Sequence, residues 1–262
     1  SIILTSIVGL SSQQAGWAMM FYSFSMALGI VAGGKAADYY GRKRALLVFT
    51  IFSCIFKLIS SFFCTTVWII PLTIGSFFFG NGIFPVFSAM VADVVKSTGS
   101  TKKTESFSLL YMCSNLGFAL GPMISGGLVE NHLPYLYIIE VVVSLIGACL
   151  FCIFTTEIYS VKKLRPSVSH DESDDVVHTL RVGTLTMLMR RKILAVFIGL
   201  YGCSAACYSA VDYLLPMQFR DNFGLGRGSV YAGRVWTVNA IVVIFMTSLI
   251  VRYTKKKPPV QV

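Results

Sequence analysis

Apolar residues run along the chain in blocks of about twenty, the length that carries a helix across roughly 30 Å of hydrocarbon. Seven such blocks occupy 15–34, 45–63, 67–94, 106–128, 134–155, 192–217 and 228–251, and residues 1–10 (SIILTSIVGL) read as the last turns of an eighth helix. Gly, Pro and β-branched residues occur freely inside the blocks and no period-two alternation appears. The pattern therefore predicts a helical bundle rather than an outer-membrane barrel. The expected fold class is an all-α polytopic membrane protein.

Between the blocks, the cations are sorted by side. One side holds Lys35, Arg42, Lys43 and Arg44, then Lys96, Lys102 and Lys103, then seven cations from Lys162 to Lys192, and last Arg252 with Lys255 to Lys257; together these are 18 of the 22 Lys and Arg. The other side holds only Arg220 and Arg227. By the positive-inside rule the segments 35–44, 95–105, 156–191 and 252–262 are cytoplasmic. Composition agrees, with 55% hydrophobic and 13% charged residues, against a charged share of about 25% in soluble domains. The net charge of +10 thus orients a chain in a bilayer. Nucleic acid would need those cations on one solvated face, so no such partner is expected.

The long connection 156–191 carries a basic flank, Pro166 and the acidic run His170 to Asp175, followed by Val177, Leu180, Thr184 and Leu188 near helical spacing. It reads as a cytoplasmic linker with a short surface helix. The expected organisation is an amino-terminal bundle over 1–155, a central cytoplasmic loop over 156–191, and two helices of a second bundle over 192–262. With no initiator Met, charged n-region or cleavage site at its start, the chain reads as cut internally at Ser1.

The first cytoplasmic turn, GKAADYYGRKRALL at 34–47, has the pattern G-x3-D-x2-G-R-K-x2-L. Its glycines Gly34 and Gly41 permit close approach and positive φ, Asp38 can meet a cation or a helix N-terminus, and Arg42 and Lys43 grip the interface. This pattern resembles motif A of the major facilitator superfamily, with Ala36 and Tyr39 departing from the usual residues. The resemblance implies a gate latch between the halves of a twelve-helix carrier, with the seven spans standing as helices two to eight. The bundle is then truncated, lacking most of helix one and all of helices nine to twelve, and transport by these residues alone is not expected.

The fourth span contains SNLGFALGPMISGGL. Gly117, Gly121 and Ser125 recur every four residues, a stripe on which a partner helix can pack, and Pro122 invites a bend. With Gly126 they resemble motif C of the superfamily's antiporters, although Ser108 and Ser125 replace two glycines. In the third span, the position where motif B carries an Arg is Ser76, which puts the usual proton-coupling route in doubt. Asn81 is the polar residue of that stretch.

Four charges fall well inside spans, where they are costly and usually functional: Lys57, Glu140, Asp212 and Arg234. The expectation is a structural ion pair between Lys57 and Glu140. Asp212 and Arg234 are expected to pair with each other or to face a central cavity, with Asp212 binding a cation or proton. Tyr208 and Asn239 join Asn81 as candidate cavity residues. The histidines all lie in loops, the cysteines are scattered through apolar spans, and no Walker A or nucleophile-elbow pattern occurs, so neither an enzyme, a metal site nor a cofactor is expected.

The resemblance, strongest to drug:H+ antiporter families, implies a plasma-membrane carrier, monomeric when full length, that exports amphipathic small molecules in exchange for protons by alternating access. Two alternatives stand beside it. FSLLYMCSNLG at 107–117 resembles the FYxxINxG pattern of proton-coupled oligopeptide importers, through Phe107, Tyr111, Asn115 and Gly117. The other alternative is a carrier-like sensor or assembly protein that no longer transports.

Overall fold

A computed structural model describes residues 2–97, 103–129, 132–154 and 192–254; the linker and its expected surface helix lie outside the described residues. Every regular element among them is helical: a π-helical turn Ile3–Ile7, then α1 Ser12–Tyr40, α2 Arg42–Phe63, α3 Ile69–Ser97, α4 Lys103–Leu128, α5 Leu133–Phe154, α6 Lys192–Phe223 and α7 Leu225–Thr254. Among the described residues, α1 to α5 and α7 are each long and apolar enough to cross a membrane. Two compact units are present, one of Ser1–Tyr159 with Pro216–Val262, the other of Ser160–Leu215.

Helix ends follow local chemistry. Ser11 and Gln14 form a capping box, each side chain bonding the other's backbone, at 3.2 and 3.0 Å; this starts α1 before the apolar block begins. At its far end α1 continues to Tyr40, and the whole turn to α2 is Gly41 with φ +93°. Gly224, with φ +81°, joins α6 to α7 in the same way. Both positions demand the left-handed backbone that glycine adopts without a Cβ penalty. Two expectations are corrected here. Gly34 is a helical residue of α1 with only Pro85 Cβ, at 3.9 Å, near the place of a Cβ, so the turn rests on Gly41 alone. Arg220 and Arg227 sit in helices rather than in a loop, because α6 runs through Pro216 to Phe223 and α7 begins at once.

The first unit is held by close backbone approaches. Ser25, Gly29, Gly33 and Ala37 lie buried on one face of α1. Against them comes α3: Ser25 Oγ donates to the Ile74 carbonyl at 2.6 Å, and a Cβ at Gly29 or Gly33 would overlap the carbonyl of Phe78 or Gly82. In a bilayer, where lipid is as apolar as the side chains, such packing supplies the association that water would drive elsewhere. Phe49, Phe52 and Phe56 of α2 add ring contacts with Phe79 of α3, at centroid distances of 5.6, 5.0 and 5.8 Å.

A second seam joins α4 to α7. A Cβ at Gly126 would meet the Ser229 carbonyl oxygen at 2.8 Å, and one at Gly233 would meet the Pro122 carbonyl oxygen at 2.5 Å. Thr237 Oγ1 donates to the Ala119 carbonyl at 2.9 Å. The packed face of α4 is thus Ala119, Pro122 and Gly126. Among the described residues nothing lies within 4 Å of the place a Cβ on Gly117 or Gly121 would take, so the expected stripe is not the face that α7 meets: that contact uses the neighbouring row of the helix.

Candidate functional site

At the end of the bundle opposite the Gly41 turn, α1, α2, α3 and α5 enclose a cavity of about 470 Å³. Its base is a core of Leu4, Ala15, Ala18, Tyr22 and Ile69, all buried, with Met19, Ile74 and Tyr137 packed against it. Such a base follows from α1, whose buried positions recur at three- and four-residue spacing. The walls mix apolar groups, Met19 and Phe77, with polar ones: Tyr22, Lys57, Ser60, Thr73, Ser76, Asn81, Tyr137 and Glu140.

Lys57 from α2 and Glu140 from α5 form an ion pair on this wall. The Lys57 side chain is 15% exposed and that of Glu140 51%, so the carboxylate keeps capacity for a further donor. Asn81 Nδ2 donates to the Phe77 carbonyl at 2.9 Å, which leaves the amide oxygen of Asn81 to accept. Ser76, the position without an Arg, lines the same space as Lys57. A cation, an anion, an amide and two phenols thus surround one apolar-floored cavity, a combination suited to a solute with both polar and apolar parts.

The Gly41 turn forms a second charged cluster. Three cations, Arg42, Lys43 and Arg44, open α2, at the end where the helix dipole disfavours them. Arg42 Nε meets Asp93 Oδ2 of α3 at 2.6 Å. Lys43 Nζ donates to the Cys152 carbonyl at 2.9 Å, in the last turn of α5, where the dipole favours a cation. Asp38 is exposed and has no ion-pair partner among the described residues. Asp93 has only a weak signal in the sequence, an acid at the very end of an apolar span one turn before Lys96.

The remaining expected residues belong to α6 and α7. Asn239 and Arg234 are exposed on α7, with the Arg234 guanidinium 5.8 Å from the Tyr231 ring centre. Tyr208 and Asp212 are exposed residues of α6 in the second unit. Asp212 lies well inside a continuous helix. Among the described residues no group of three or more His, Cys, Asp or Glu is placed to hold a metal ion.

Several apolar helices, with charged groups turned onto a cavity between them, define a multi-pass membrane protein. Residues 1–261 match the Major Facilitator Superfamily, and the chain belongs to that family. It is similar to the uncharacterized MFS-type transporter YqjV of Bacillus subtilis (strain 168), with 26% identity over 267 aligned residues, 99% of this chain and 60% of the relative. It is also similar to the peptide transporter YePEPT of Yersinia enterocolitica subsp. palearctica serotype O:3 (strain YE-P4), with 29% identity over 129 residues, 48% of this chain and 25% of the relative. The chain thus spans less than two thirds of either relative's length. No solved structure matches it.

Proposed function

We propose that this protein is a secondary active carrier that works by alternating access and exports amphipathic small molecules in exchange for protons. Its basic turns face the cytoplasm and it resides in the plasma membrane, following the positive-inside distribution of its cations. The observation that carries the reading is the 470 Å³ cavity with an intramembrane ion pair on its wall. An apolar base with few polar groups accepts varied solutes by burying their bodies and orienting one polar end. Ionisable groups kept inside apolar spans at an energetic cost are the natural place to couple solute to ion movement. Within this proposal Asp212 carries the proton and the Arg42–Asp93 pair latches the gate.

The test is transport in liposomes. The carrier at its full length, reconstituted with a proton gradient, is expected to move a fluorescent amphipathic dye, and a protonophore is expected to stop it. Absence of any solute-dependent proton flux across a panel of such dyes would sink the export reading and favour a sensor or assembly role. Import of oligopeptides is the second reading. It is favoured by the relative named as a peptide transporter and by Phe107, Tyr111, Asn115 and Gly117, which fall together on α4. Dipeptide counterflow in the same liposomes, without dye movement, would select it.

A further inference from the structure

We propose that the pocket between α4 and α7 binds a phosphate group through Arg227 and Arg234. It measures about 320 Å³ and is walled by Gly126 and Gly127 of α4 and by Gly226, Arg227, Tyr231 and Arg234 of α7. The two arginines are seven residues apart, which places them on one helix face about 10 Å apart along the axis, within mutual reach of their long side chains. Tyr231 stands between them, and its ring lies 5.8 Å from the Arg234 guanidinium carbon, a cation–π contact that steadies one fork of the pair.

Charge is what singles this pocket out. Among the described residues the ion pairs are Arg42–Asp93, Lys57–Glu140 and Arg220–Asp221, and no carboxylate lines the pocket. Arg220, one turn before α7, is a useful contrast: Asp221 neutralises it at 2.6 Å and Ser6 Oγ lies 3.2 Å from its Nη1. Among the described residues Arg227 and Arg234 have no such ion-pair partners. Arg234 sits inside an apolar span, where an uncompensated guanidinium is expensive and an anionic ligand offsets the cost. Planar guanidinium forks match phosphate oxygens in paired hydrogen bonds. On the opposite wall, Gly127 has nothing within 4 Å of a built Cβ, so a group of that size can enter.

The phosphate can belong to a lipid headgroup or to a soluble anion, and the experiment separates them. The purified chain in detergent is titrated with phosphatidic acid, with diacylglycerol and with inorganic phosphate while its unfolding temperature is followed. Phosphatidic acid is expected to raise that temperature where diacylglycerol does not, and R227Q/R234Q to weaken the response roughly tenfold, with R227K/R234K in between. A response to phosphatidic acid alone assigns the lipid headgroup; one that inorganic phosphate reproduces assigns the soluble anion. A response to neither, one that diacylglycerol equals, or one that R227Q/R234Q leaves intact overturns the proposal. Should the double variant fail to fold, Gly127→Leu fills the pocket while sparing both arginines; undiminished binding by that variant is equally fatal.

Discussion

Arg42 Nε lies 2.6 Å from Asp93 Oδ2, and Nη2 of the same guanidinium lies 3.5 Å from Oδ1. The contact ties the first residue of α2 to the last turns of α3, with both side chains 17% exposed. It also answers an electrostatic problem: three cations sit where α2 presents its positive end, and its first turn contains no acid.

Asp93→Asn therefore is expected to destabilise the protein by about 1–2 kcal/mol, through the lost charge-assisted pair and the uncompensated cation at the helix start. Asp38→Asn, at an exposed site, is expected to change stability by less than about 0.5 kcal/mol. Unfolding of the two variants in detergent distinguishes them. Equal losses would place Asp38 in the pairing instead.

Gly33→Ala is expected to cost about 1–3 kcal/mol, because its Cβ overlaps the Gly82 carbonyl of α3 and backbone must shift to admit it. Gly34→Ala, one residue on, meets only Pro85 Cβ at 3.9 Å and is expected to be neutral or slightly stabilising through helix propensity. The same comparison applies at the other seam, where Gly126→Ala is the damaging change and Gly121→Ala the tolerated one. Thermal unfolding checks both pairs.

Removing one partner of the Lys57–Glu140 pair is worse than removing both. Lys57→Met leaves a carboxylate in an apolar setting and is expected to cost about 1–3 kcal/mol, discounted for the half-exposed Glu140. The double variant Lys57→Met/Glu140→Leu is expected to recover much of that. A transport assay on the stable double variant then separates roles: retained transport marks the pair as structural, and lost transport places it in solute handling.

Cys64, at the carboxy-terminal end of α2, is 3% exposed, and burial pushes its thiol above the ordinary range. Because the thiolate is the nucleophile, a raised value means less reactive species at any given pH. Alkylation of Cys64 by a water-soluble maleimide is expected to be slow at pH 7 and to accelerate beyond the usual thiol range. Rapid labelling at neutral pH, located by mass spectrometry, would contradict this burial.

Helix number and order are legible in the sequence because a bilayer demands long apolar blocks, and each block from 15 to 154 contains one helix. Ends are less legible, since hydropathy registers the bilayer while helical hydrogen bonding continues past it, as through Lys35 and Asp38 in α1. Small-residue stripes are only half legible. Ser25, Gly29, Gly33 and Ala37 have the same spacing as Gly117, Gly121 and Ser125, yet among the described residues only the first stripe carries a close neighbour. Composition says that a face can be approached; whether another helix comes to it depends on tertiary placement. Asp93 escapes for a related reason, because its partner is set by the register of α2 against α3. The cavity was harder still, as Lys57, Asn81 and Glu140 come from three helices.

The reversal at Gly224 has a bearing on topology mapping. A chain that turns on one residue, with Gly224 N bonded to the Arg220 carbonyl at 2.8 Å and Gly228 N to the Gly224 carbonyl at 2.9 Å, presents no slack segment to a protease. Arg220 and Arg227 are therefore poor trypsin sites despite bracketing a connection between helices, and an epitope tag inserted there splits two helices rather than decorating a surface.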